Sequence, residues 1–147
     1  MHLVQGQTMV FDTLIARFRG ADRATRLESL LDHSRKLPEL PAVLRDAGDR
    51  EAHRVTECQT PVFLWVGVDG GQVTIHADVP RESPTVRGFV AMLAKRLNGA
   101  TPAEVSKVPD DLLDQLGLGE ALGMMRTQGL TAILGRIKRA VARAAEL

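Results

Sequence analysis

Pro61-Val62-Phe63-Leu64-Trp65-Val66-Gly67-Val68, then Asp69-Gly70-Gly71, then Gln72-Val73-Thr74-Ile75-His76-Ala77: this stretch decides the fold. The first run is apolar, β-branched and aromatic, the make-up of a buried strand. Asp-Gly-Gly supplies residues that accept positive φ, as a tight hairpin turn requires. The return run alternates apolar and polar residues, the two-residue period of a strand with one face on a core. An antiparallel hairpin is therefore predicted. A weaker strand is predicted ahead of it, near Ala52 to Glu57, giving a small sheet of about three strands packed on helices.

Outward from the hairpin the period becomes helical on both sides. Phe11, Leu14, Ile15 and Phe18 repeat at i, i+3, i+4, i+7 in a helix predicted over Thr8 to Arg19, stopped by Gly20. Asp22 reads as the N-cap of a second helix that carries Leu27, Leu30 and Leu31 to about Lys36. Pro38 and Pro41 open an irregular stretch to Arg50. After the hairpin, Val86, Phe89, Val90, Leu93 and Leu97 make one stripe, with Pro84 in the first turn and Asn98-Gly99 as the stop. Thr101-Pro102-Ala103-Glu104 has the form of a capping box, and another helix begins near Pro109. A last helix, about Thr127 to Ala145, carries Leu130, Ile133, Leu134, Ile137 and Val141. Helices segregated around a small antiparallel sheet define an α+β class.

The chain has 147 residues, suited to a single domain over 1–147 with a core that needs no disulfide or metal. Its one cysteine, Cys58, excludes an internal disulfide framework and any multi-cysteine zinc or iron–sulfur site within one chain. A lone free thiol suits a reducing, cytoplasmic compartment. The net charge of +1, from 19 basic and 18 acidic residues, and the absence of tyrosine argue against a nucleic-acid partner. No apolar run reaches the ~18 residues that span a bilayer, so no membrane role is expected. Met1 to Met9 lacks the basic and apolar regions of a signal peptide. His33, His53 and His76 have no zinc-ligand spacing, so no metal is expected. Met124 and Met125 read as core filler, and the basic cluster around Arg136, Lys138, Arg139 and Arg143 reads as a solvated helix face.

Cys58 lies in Thr56-Glu57-Cys58-Gln59-Thr60-Pro61, between the weak strand and the strong one. A free cysteine is commonly a small buried hydrophobe. This one is flanked by Glu57 and Gln59 rather than set in an apolar run, and belongs on a loop. A thiol is nucleophilic only as the thiolate. Arg54 and Arg126 are candidates to favour that form, and Glu57 opposes it.

These residues resemble the SufE family of sulfur-acceptor proteins over about residues 27–141. The blocks that carry the resemblance are Leu37-Pro38-Glu39-Leu40, the run Cys58-Gln59-Thr60 followed by the apolar strand, Val86-Arg87-Gly88-Phe89, Thr101-Pro102-Ala103-Glu104 and Arg126-Thr127-Gln128-Gly129-Leu130. Glu57 departs from the glycine found before the cysteine in many members. The resemblance implies a SufE/IscU-like fold and a sulfur carrier. Cys58 would accept persulfide sulfur from a PLP-dependent cysteine desulfurase of the SufS type, stimulate that enzyme, and pass sulfur to a Suf-type scaffold for iron–sulfur cluster assembly. The PLP belongs to the desulfurase, so this chain is expected to bind no cofactor and to be a sulfur-transfer partner rather than a stand-alone enzyme. Arg126 and Gln59 are candidates to support the thiol, and Glu82 and Arg87 to dock the partner. Two rival readings are a module that regulates a desulfurase without carrying sulfur, and a cysteine hydrolase with His53 as base. The sequence leaves a homodimer open.

Overall fold

The computed structural model describes residues 10–146. The predicted hairpin forms: β1 (Phe63–Asp69) pairs antiparallel with β2 (Gln72–Asp78), with Trp65 opposite His76 and Val66 opposite Ile75. Gly70 and Gly71 both take positive φ in the turn, 60° and 79°, the conformation that made glycine the natural choice there. Val73, Ile75 and Ala77 are buried on the core face, across from Leu64, Val66 and Val68.

The expected third strand is reduced to a single bridge between Arg54 and Phe63, and the described residues form a two-stranded sheet. Arg50–His53 instead make a short 3-10 turn. Its side chains explain why. Arg50 lies over the Phe63 ring at 3.8 Å, and His53 stacks on Trp65 at 4.8 Å, so this segment roofs the outer face of β1 rather than extending the sheet. The far edge of β2 is closed by the chain that follows the next helix. Asn98 Oδ1 accepts from Ile75 N–H at 2.7 Å while its Nδ2 donates to the Ile75 carbonyl, mimicking a neighbouring strand. Val73 exchanges backbone hydrogen bonds with Gly99 and Ala100. A short sheet is thus left without an open edge at these positions.

The helices begin with α1 (Asp12–Arg19) and α2 (Arg23–Arg35). The predicted start of α1 at Thr8 lies outside the described residues. Asp22 caps α2 by accepting from Thr25 N–H at 2.8 Å, as its position predicted. The stretch after Pro41 holds one short turn, α3 (Ala42–Arg45). The central helix α4 (Pro84–Leu97) is buried from Val86 to Ala94. It crosses α2 so closely that a Cβ added at Gly88 would fall 2.0 Å from the Leu30 carbonyl oxygen. Then come α5 (Pro102–Ser106), with both arms of its capping box formed by Thr101 and Glu104, α6 (Leu112–Gln115) and α7 (Leu118–Leu122). The last helix, α8 (Met124–Ala145), begins three residues before the predicted Thr127, and its stripe of Leu130, Ile133, Leu134, Ile137 and Val141 is buried as read from the sequence.

Candidate functional site

Cys58 stands on a loop closed at its base. Val55 N–H donates to the Val62 carbonyl at 2.9 Å, and Cys58 N–H donates back to the Val55 carbonyl at 3.2 Å. Val55 and Val62 are both fully buried and fix the two ends of the loop. Arg136 of α8 donates to the carbonyls of Arg54 and Ala52, tying the incoming chain to the last helix. Arg136 is therefore a structural anchor, not the solvated cation predicted. Lys138 is likewise held, by the Val108 carbonyl and Asp110.

The thiol turns inward and Cys58 is only 7% exposed. Its floor is the backbone of α8. A Cβ built on Gly129 would lie 3.4 Å from Cys58 Sγ, so the sulfur occupies the notch that the missing side chain leaves. Glu57, Gln59 and Thr60 of the loop, Val86 of α4, and Met125, Arg126 and Gln128 of α8 line the cleft around it. Burial pushes the Cys58 thiol above the ordinary cysteine range, and a hydrogen bond from the Thr60 backbone opposes this without overcoming it. The resting group is thus a protonated, sheltered thiol, weakly nucleophilic until it is exposed.

The predicted residues fall in different places. Gln59 and Arg126 are exposed and line the cleft with Cys58. Arg54 does not join them; its guanidinium lies over the Phe63 ring, 5.7 Å from the centroid. Neither arginine nor Glu57 is among the groups that set the acidity of the resting thiol. Glu82 is exposed on the turn that enters α4, four residues ahead of the cleft residue Val86. Arg87, expected on a docking face, is instead 8% exposed. Its Nε donates to the Ser34 carbonyl at 2.9 Å and another guanidinium nitrogen to the Val79 carbonyl at 2.5 Å. It joins the end of α2, the exit of β2 and the start of α4, and a guanidinium suits the junction because its separate N–H groups donate to carbonyls in two directions. His53 is spent on the Leu64 carbonyl and Asp49, and it does not line the Cys58 cleft.

Sequence reasoning missed the Gly129 notch and misread the methionines. Met124 and Met125 are 77% and 72% exposed, not core. They follow Gly123, whose φ of 86° and ψ of 162° are open only to glycine and turn the chain sharply from α7 into α8. A glycine inside a helical pattern with no cap to make was the available signal for Gly129, since it costs helix stability unless something must approach. Among the described residues, no group of three or more His, Cys, Asp or Glu is arranged to hold a metal ion. No helix among them is long and apolar enough to cross a membrane.

Cys58 stands on a loop beside a small sheet flanked by helices, as the resemblance implied, and the structure adds that its thiol is sheltered. The SufE family model, described as an Fe-S metabolism associated domain, matches residues 12–141, and the chain belongs to that family. Among its relatives, an uncharacterized SufE-like protein of Mycobacterium tuberculosis is 35% identical over 127 residues, spanning 86% of this chain and 87% of its own length. The sulfur acceptor protein CsdE of Escherichia coli is 30% identical over 131 residues, 87% of this chain and 85% of its own. The fold matches the solution structure of a Thermus thermophilus protein with a TM-score of 0.80 at 33% identity, covering 94% of this chain and 97% of that one.

Proposed function

We propose that this protein is a sulfur acceptor and carrier that takes persulfide sulfur onto Cys58 from a PLP-dependent cysteine desulfurase of the SufS type, stimulates that enzyme by emptying it, and delivers sulfur to a Suf-type scaffold for iron–sulfur cluster assembly. The observation that carries this reading is the lone thiol seated in the Gly129 notch beneath a loop pinned at both ends. A carrier needs a thiol that survives between encounters, and burial both protects Cys58 and keeps it protonated. The family and the similarity to CsdE support the same role.

The transfer is a thiol exchange. Cys58 loses its proton and its thiolate attacks the outer sulfur of the desulfurase persulfide. A new S–S bond forms on Cys58, the old one breaks, and the electron pair leaves with the desulfurase thiolate. No net oxidation or reduction occurs. Because Cys58 is buried at rest, docking must first move the loop and release the thiol from its notch. Arg126, exposed at the cleft mouth, is suited to stabilise the thiolate once it emerges, and Gln59 is suited to hydrogen-bond it. Glu82 offers an exposed carboxylate for docking on the turn that enters α4. The PLP stays with the donor, and the setting is the cytoplasm.

The experiment is intact-mass spectrometry after incubation with a desulfurase, PLP and cysteine, before and after reductant. Cys58 should gain sulfur reversibly, and Cys58→Ser should gain none while keeping its fold. Sulfur uptake by the serine variant would refute the assignment. Stimulation of the desulfurase by the serine variant, with no uptake by either form, would favour a regulatory module. The hydrolase reading has little support, since no histidine lines the cleft.

A further inference from the structure

The cleft accounts for the buried thiol but not for the apolar surface beside it. Among the described residues only Val43, Met124 and Met125 are large apolar side chains left exposed, at 77%, 77% and 72%. Two of these are consecutive, on the first turn of α8, immediately after the glycine-only corner at Gly123. Met125 lines the Cys58 cleft itself. Met124 lines an adjoining depression with Gly119, Thr127, Gln128 and Thr131, and Gln128 is shared between the two. The apolar surface and the thiol cleft are therefore one continuous face.

The buried stripe of α8 is filled by Leu130, Ile133, Leu134, Ile137 and Val141, and the two methionines lie off it, adjacent and exposed, as a patch rather than a lone apolar side chain. Flexible thioether chains are suited to pack against surfaces of differing shape. Sulfur transfer itself names the occupant. The donor sulfur must come within bonding distance of Cys58 Sγ, so whatever delivers it must cover the mouth of the cleft, and Met125 forms part of that mouth.

We propose that Met124 and Met125 form the apolar anchor on which the sulfur-donating desulfurase docks. This inference rests on the carrier reading. The anchor holds the donor over α8 while the Cys58 loop moves, so binding and thiol release occur on the same helix end. Its polar surroundings, Arg126, Gln128 and Thr127, form the rim of the contact, the usual pattern of an apolar centre ringed by polar groups.

The test pairs Met124→Gln/Met125→Gln with Val43→Gln, a control that removes an equally exposed apolar side chain outside the cleft. Both variants should melt like the wild type. The probe is the PLP-loaded desulfurase that loads Cys58 in the mass experiment, with affinity read by calorimetry and sulfur uptake by mass. The double methionine variant should bind about tenfold or more weakly and take up sulfur slowly at low donor concentration, recovering at saturation, while Val43→Gln behaves as wild type. Affinity within twofold of wild type, with sulfur uptake intact, would overturn the anchor and leave the carrier reading standing. Equal losses in Val43→Gln would also overturn it, as would a wild type that neither binds the donor nor gains sulfur, which removes the carrier reading as well.

Discussion

Gly88 and Gly129 each sit inside a helix, where alanine would be the better helix former by about 1 kcal/mol. Both give up that advantage so that something can approach the helix backbone. At Gly88 the visitor is the Leu30 carbonyl of α2, and the approach is permanent: an added Cβ would lie 2.0 Å from the oxygen and 2.7 Å from the carbonyl carbon. At Gly129 the visitor is the sulfur of Cys58, at 3.4 Å, carried on a loop. The first notch locks two helices together at the centre of the core. The second holds the Cys58 thiol, which on the proposed carrier role must leave to work. The neighbouring arginines divide in the same way. Arg87, beside Gly88, is buried against two carbonyls, and Arg126, one turn ahead of Gly129, is exposed at the cleft.

That contrast can be broken most severely at the core notch. Gly88→Ala should cost about 3 kcal/mol or more, because backbone atoms cannot swing aside and the α2–α4 crossing must open. A denaturant melt like that of the wild type would show that the crossing is not constrained by this glycine. Arg87→Ala should follow, at about 1–3 kcal/mol, since it leaves the buried Ser34 and Val79 carbonyls unpaired. Lysine should restore only part of this loss, having no planar fork to reach both. Neither variant, where folded, should change the sulfur gained by Cys58 in the mass experiment.

At the Gly129 notch the effect on stability should be small and the effect on the chemistry of Cys58 larger. Gly129→Ala should change stability by no more than about 1 kcal/mol, the helix gain offsetting a tight contact. The added methyl group would meet Sγ at 3.4 Å, the near limit of ordinary contact, and a small shift of the thiol toward the cleft mouth would relieve it. In the wild type, burial favours the neutral thiol, so the alkylation rate of Cys58 should rise with pH through a midpoint above that of an ordinary cysteine. In Gly129→Ala that midpoint should move down, and the rate at neutral pH should increase several-fold. An unchanged pH profile of iodoacetamide labelling would mean that the notch does not hold the thiol.

Much of this fold was legible because its signals are local. The hairpin follows from β-branched alternation and two glycines that must take positive φ, and α5 follows from a capping box whose partners are three residues apart. The third strand failed because its segment's role is decided by stacking: Arg50 and His53 found Phe63 and Trp65, residues whose orientation is known only once the hairpin is folded. Arg87 and Met124 failed for a related reason. A charge at a helix start and a methionine near another were given their ordinary places, outside and inside, and tertiary packing reversed both.

By itself, then, the sequence determined the α+β class, the hairpin and its glycine turn, the caps at Asp22 and Thr101 and the presence of a single cysteine, because each depends on backbone preferences or on counting. Only the tertiary structure decided that this cysteine is sheltered, that Gly129 makes room for it, and that Met124 and Met125 face outward beside it. Burial and approach depend on residues distant in sequence, such as Cys58 and Gly129, 71 positions apart, meeting in space. No local pattern encodes such a meeting; it follows from how the helices close around the sheet.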